Sequence, residues 1–145
     1  MKVSLLVLAS VLTVALLMGG DGANTVTYVS HEKVTAAFVK GGGLAKGPDY
    51  SVGAMFRSAS GAAELHDKQT DVYYVADGEA TFVTGGKLIG DKVVSPGQHQ
   101  GTGIEGGEVR HISKGDVLAI PAGIPHWFKE VPHYVRYLLI KVEKP

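Results

Sequence analysis

An all-β fold of antiparallel strands, a barrel or jelly roll with one short N-terminal helix, is what this sequence predicts. Three observations lead there. The chain has 145 residues, the span of a single domain. Twenty of them are glycine, about twice the usual share, so the backbone turns often and long helices have little room. Beyond Tyr50 the apolar residues fall in short runs of β-branched and aromatic side chains bounded by Gly, Pro or Asp-Gly, the pattern of a sandwich or barrel.

The N-terminal stretch stands apart from that fold. Lys2 precedes an apolar run from Val3 to Met18, broken only by Ser4, Ser10 and Thr13, and small residues follow at Gly20 to Ala23. A positive start, a short apolar centre and a small-residue exit describe a secretory leader. The leader is expected over 1–22, with 23–145 as the single domain and the cell envelope, periplasm or medium as its location. A helix over the apolar run would span about 24 Å against a hydrocarbon core of about 30 Å, so a stable membrane anchor is not expected.

Ser30 can cap a helix running through Val39, with Val34, Ala37 and Phe38 on one face and Gly41 as its left-handed stop. Strands follow near Tyr50–Arg57, Ala62–His66, Val72–Ala76, Ala80–Thr84, Gly107–Ile112, Val117–Ile120, His126–Glu130 and Tyr134–Val142. Asp77-Gly78 is a two-residue hairpin signal, and Gly85-Gly86 a second turn. Ser95 to Gly107 has five glycines, a proline and no apolar periodicity, so it is expected to be a long loop that covers a site or wanders.

Composition excludes whole classes of function. Fourteen basic and fourteen acidic residues cancel, leaving no basic surplus for nucleic acid. No cysteine is present, which removes disulfides, thiolate zinc sites, iron–sulfur clusters and a cysteine nucleophile. Neither G-x-S-x-G, nor a Walker loop, nor H-E-x-x-H occurs.

Two spaced motifs remain. Gly115, Pro121, Gly123 and His126 fit G-x5-P-x-G-x2-H, and upstream Glu64-Leu65-His66 is followed by Asp71 and Gly78. Together they resemble the two motifs of the cupin superfamily, over roughly Tyr50 to Val142. Position by position, His66 stands at the second histidine of the first motif, Asp71 at its glutamate and His126 at the histidine of the second motif. Glu64 replaces the first histidine, Ser58 stands where glycine is frequent, and Glu130 where asparagine is. The resemblance implies a small β-barrel or jelly roll, one divalent metal ion, and oxidation (dioxygenase-like), isomerisation or lyase chemistry on a small oxygenated molecule. Its rivals are a non-catalytic ligand-binding cupin of the cell envelope and a structural envelope protein with a degenerate site. A homodimer is the assembly to test.

The spacing makes chemical sense by itself. Residues two apart on a strand share a face, so Glu64 and His66 emerge side by side while Leu65 turns away. Asp71 opens the next strand, and the stiff Pro121-x-Gly123-x-Pro125 turn can bring His126 from elsewhere. Two imidazoles with one or two carboxylates suit iron, manganese, zinc, nickel or cobalt, whereas calcium prefers an all-oxygen set. The candidate metal ligands are thus Glu64, His66, Asp71 and His126. Glu64 is also the candidate proton carrier. Strand parity places Tyr73 and Val75 with Asp71, and Phe128 with His126, opposite to Trp127. Tyr73, the second catalytic candidate, and Phe128 are therefore candidate pocket walls. Arg57 and Arg136 are candidates for holding an anionic group. His31, His99, His111 and His133 lack a second ligand at strand spacing, and of these His99 is the one most open to a functional role.

Overall fold

Ser30 caps the helix as its side chain requires. In the computed structural model, which describes residues 25–144, its Oγ accepts a hydrogen bond from the Lys33 amide. The expected leader and its cleavage region lie outside the described residues. Helix α1 (His31–Lys40) turns Val34, Ala37 and Phe38 toward the protein and packs on the strands β1 (Gly42–Lys46) and β2 (Tyr50–Arg57). Gly41 ends it with φ 80° and ψ 150°. That is an extended conformation reserved for glycine, not the left-handed helical stop expected of it. The described residues contain no helix long and apolar enough to cross a membrane.

The remaining strands are β3 (Ala63–His66), β4 (Gln69–Thr84), β5 (Lys87–Ile89), β6 (Lys92–Ser95), β7 (Gln98–Gly101), β8 (Gly103–Glu105), β9 (Glu108–Ser113), β10 (Val117–Ile120), β11 (His126–Glu130) and β12 (Val135–Glu143). All their pairings are antiparallel. One layer runs β1-β2-β12-β4-β10, and the other joins β9, β4, β11, β3, β7 and β6. Strand β4 belongs to both, so the layers face each other across a core it has helped to build from each side. Tyr73, Val75, Val135, Tyr137 and Ile120 come from the first layer and Ala80, Phe82, Ile112 and Phe128 from the second, in one buried cluster.

The Asp77-Gly78 hairpin is overturned, because β4 runs unbroken from Gln69 to Thr84. Its two halves do not pair with each other: the first bonds β12 and β10, the second β9 and β11. A register shift opposite Arg136 and Tyr137 marks a bulge just before Gly78, and bulges raise local twist and bend. Gly78 has φ 77°, and a Cβ there would stand 2.1 Å from the Tyr134 carbonyl oxygen. The dipeptide that closes hairpins thus serves here to carry one strand between layers.

The long loop expected over Ser95 to Gly107 is overturned as well, since β7 and β8 occupy most of it, and β1, β5 and β6 are further strands the sequence did not signal. These strands are held by close backbone approach more than by apolar alternation. A Cβ on Gly101 would lie 2.6 Å from the Ile89 carbonyl oxygen, and β8 pairs with β5 as a two-stranded ribbon. Gly85 and Gly86 do form a bend at φ 75° and 71°, but it joins β4 to β5, which are not partners.

Gly78→Ala is expected to destabilise the protein strongly. The positive φ costs a side chain about 1–3 kcal/mol, and the backbone clash adds to it. Urea unfolding of both proteins measures the loss; a midpoint equal to that of the wild type would show that the crossing does not need glycine.

Candidate metal centre

The two layers contribute different chemistry to one interior cluster. From the second layer, β3 projects Glu64 and His66 from the same face, and His126 opens β11 directly opposite Glu64. The turn ahead of His126 is tied down on both sides. The Gly123 amide donates to the His66 carbonyl at 2.7 Å and the Gly85 amide to the Pro125 carbonyl at 2.8 Å. One ligand atom each from Glu64, His66 and His126 then fall within 4.8 Å of one another, a group that could hold a metal ion.

His126 is prepared as a ligand. Burial pushes its pKa down, against the Ile124 carbonyl and the Asp71 charge, so it is neutral at neutral pH. Its Nδ1–H faces the Ile124 carbonyl oxygen at 3.1 Å, which leaves the Nε2 lone pair buried and without a hydrogen-bond partner. Orienting one imidazole nitrogen through a carbonyl while the other stays free is how metal-binding histidines are set. The donor set therefore fits a divalent transition metal.

From the first layer come Asp71 and Tyr73 on β4 and Lys141 on β12. Asp71, 1% exposed, has its Oδ2 3.4 Å from His66 Nε2 and 3.6 Å from His126 Nε2. Yet its bonds go elsewhere. Lys141 Nζ lies 3.1 Å from Oδ1 and 3.0 Å from Oδ2, and the Tyr73 hydroxyl donates to Oδ2 at 3.2 Å. Burial raises the Asp71 pKa, but the close approach of His66 and the charge and hydrogen bonds of Lys141 outweigh it and hold the carboxyl below its ordinary value. Tyr73 has its pKa pushed far up, by burial and then by the Asp71 charge, so it stays a hydrogen-bond donor.

Of the four residues the sequence proposed as ligands, Glu64, His66 and His126 form the group, and Asp71 sits against both imidazoles with its oxygens engaged by Lys141 and Tyr73. Tyr73 and Phe128 both face the interior as parity requires, with ring centroids 6.0 Å apart. Trp127 points away, its indole donating to the Gly61 carbonyl at 2.7 Å. Arg57 also reaches inward, its guanidinium 4.8 Å from the Phe128 ring centroid and close enough to the Tyr137 hydroxyl to offset part of the rise that burial imposes on its pKa. Arg136 instead lies over Tyr134 and Phe56 beside Asp77, away from the cluster. His99 is on β7 between Asp91 and Asp67, at 2.9 and 3.3 Å, and takes no part in the site. His111 pairs with Glu79.

Lys141 and Tyr137 were missed. Alternation along Tyr134–Val142 puts 137, 139 and 141 on one face, which was the available signal. That Lys141 stands directly opposite Asp71 depends on the β12–β4 register, which no local pattern encodes.

A two-layered β protein whose interior holds a carboxylate and two imidazoles is of the kind that binds small molecules in its core. A family model described as Cupin matches residues 49–144, and the chain belongs to the cupin family. Solved structures agree on the fold. BH2720 of Bacillus halodurans matches with TM-score 0.53 at 14% identity, over 71% of this chain and 69% of that one. SPY1581 of Streptococcus pyogenes gives 0.51 at 14%, over 73% and 75%. The Cnp3 cupin domain of Schizosaccharomyces pombe gives 0.53 at 13%, over 72% and 64%. No curated protein matches the chain.

Asp71→Asn is expected to cost about 1–3 kcal/mol at neutral pH, because it leaves the Lys141 ammonium without its counter-charge. The folded-state pKa of Asp71 lies below its unfolded value of about 3.9. Its contribution is therefore complete above that pH and fades as pH falls through the folded pKa. Urea unfolding of the two proteins at neutral and acid pH checks this; a gap that does not narrow in acid would contradict it.

Proposed function

We propose that this cupin is an exported protein that uses one divalent metal ion, held by Glu64, His66 and His126, to act on a small oxygenated molecule by dioxygenase, isomerase or lyase type chemistry. One observation carries the reading. Three ligand atoms of suitable type converge within 4.8 Å, and one of them, His126 Nε2, is a buried acceptor without a hydrogen-bond partner. Buried polar atoms without partners are rare and call for an explanation. A bound ion would supply Lewis acidity, drawing adjacent substrate oxygens together and polarising a carbonyl.

The chain's own residues would do the rest. Tyr73, kept protonated, holds Asp71 in place from within the apolar wall. Glu64 is half-buried and pairs with no described cation, so it is the carboxylate available to exchange a proton. Arg57 has no acidic group within ion-pair distance among the described residues, and its guanidinium lies on the Phe128 ring beside the aromatic wall. An unmatched guanidinium there favours a substrate with an anionic group. The contact of Lys141 with His66 favours a second reading, a non-catalytic ligand-binding cupin of the cell envelope. Product formation separates the two.

His66→Ala and His126→Ala are each expected to lose most bound metal while circular dichroism stays that of a folded β protein. The apolar core, which these substitutions leave alone, carries the fold. Metal analysis of purified wild type and variants decides it, and unchanged metal in both variants would refute the site. Export is supported by the Lys2-led apolar run. N-terminal sequencing of protein recovered outside the cytoplasm should find a start between about Asp21 and Val26; an intact N-terminus on cytoplasmic protein would refute it.

A further inference from the structure

We propose that Lys141 is a built-in cation that withdraws Asp71 from metal coordination and contends with the metal for His66, so that Glu64 replaces Asp71 as the carboxylate ligand and Lys141 sets how tightly metal is held. The inference rests on the metal reading above and adds to it the identity of the carboxylate and the residue that regulates loading.

The geometry is specific. Lys141 is the direct cross-strand partner of Asp71, and its ammonium bonds both carboxylate oxygens at 3.1 and 3.0 Å. The Tyr73 hydroxyl takes a further place on Oδ2. With an ammonium spanning it, this carboxylate is already neutralised. The same Nζ is 3.1 Å from His66 Nε2. An ammonium only donates, so Nε2 accepts and its lone pair is in use. That lone pair cannot also bind a metal, and a cation left beside a metal repels it. Glu64, by contrast, has no described cation within ion-pair distance, while its oxygen lies with the two imidazoles.

Two departures of this sequence from the motif pattern then have one cause. Aspartate at 71 is a methylene shorter than glutamate, and Lys141 reaches in from the facing strand to meet it. A carboxylate at 64 restores the negative charge that the pair cancels. Lys141 is a quarter exposed, and its stem is flexible, so its head can withdraw toward solvent when a metal enters. Its contribution is thus to oppose loading, not to prevent it.

The test is calorimetric titration of Mn2+ and of Zn2+ into metal-free mature protein at one neutral pH, for wild type, Lys141→Met, Asp71→Asn/Lys141→Met and Glu64→Gln. Lys141→Met is expected to bind tighter by about tenfold or more, the least effect of removing a unit charge at contact distance. The double variant removes both charges, so it tests the idea even if an unmatched Asp71 unfolds the single one, and it is expected to bind at least as tightly as wild type. Glu64→Gln is expected to bind at least about tenfold more weakly. Circular dichroism monitors folding throughout. Metal binding by wild type that Lys141→Met leaves unchanged or weakens, or that the double variant loses, would overturn the role of Lys141 and leave the metal site standing. No binding by either wild type or a folded Lys141→Met would overturn the metal reading itself.

Discussion

One strand serves both layers, and the site exists because it does. The first half of β4 presents Asp71 and Tyr73 to the interior, and its second half pairs with β11, which begins at His126. A hairpin at Asp77-Gly78 would fold those halves onto each other and take from β12 and β11 their pairing with β4. The chain avoids this because each half finds longer pairing elsewhere, nine residue pairs with β12 alone, and because Gly78 adopts a positive φ where the Tyr134 carbonyl leaves no room for a side chain. Turn chemistry is a local preference of about a kcal/mol, and ladders of this length outweigh it.

An interior holding this many polar groups is tolerated because of what surrounds them. Tyr73, Phe82, Phe128 and Tyr137 stack edge and face at centroid separations of 4.7 to 6.0 Å, which secures the apolar part of the core. Above that wall the carboxylate, the ammonium and the phenol satisfy one another, and His66 Nδ1 and His126 Nε2 are left buried without a partner. Asp71, the most buried of them, has three hydrogen bonds from Lys141 and Tyr73, as a buried carboxylate must. The two layers also divide the charges: the second supplies two imidazoles and Glu64, the first a carboxylate already matched by an ammonium. Two carboxylates, Glu64 and Asp71, stand there against the one ammonium of Lys141, an excess that favours a cation.

The surface ribbon shows the opposite economy. Strands β5 to β8 bury few side chains and rely on glycines that let backbones approach. Gly103 lies under the Trp127 ring, whose indole is in turn anchored on Gly61. The same Gly61 leaves the space that the Arg57 guanidinium fills, since a Cβ there would stand 2.2 Å from its Nη1. The β2–β3 connection thereby links the outer packing of β11 to the placement of an inward arginine.

The sequence by itself determined the class of fold, the helix with its Ser30 cap, the side-by-side placement of Glu64 and His66, and the stiff turn that carries His126. Each of those is written in short-range terms: a capping side chain, a period of two, a Pro-Gly turn that can close only a few ways. Parity along single strands also placed Tyr73, Phe128 and Trp127 on their proper sides. Only the tertiary structure decided that Asp77-Gly78 continues a strand, that the glycine-rich stretch from Ser95 forms strands, and that Lys141 meets Asp71. Those outcomes depend on which strands become neighbours and in what register, a competition between distant segments for the same backbone hydrogen bonds, and no window of sequence contains both competitors.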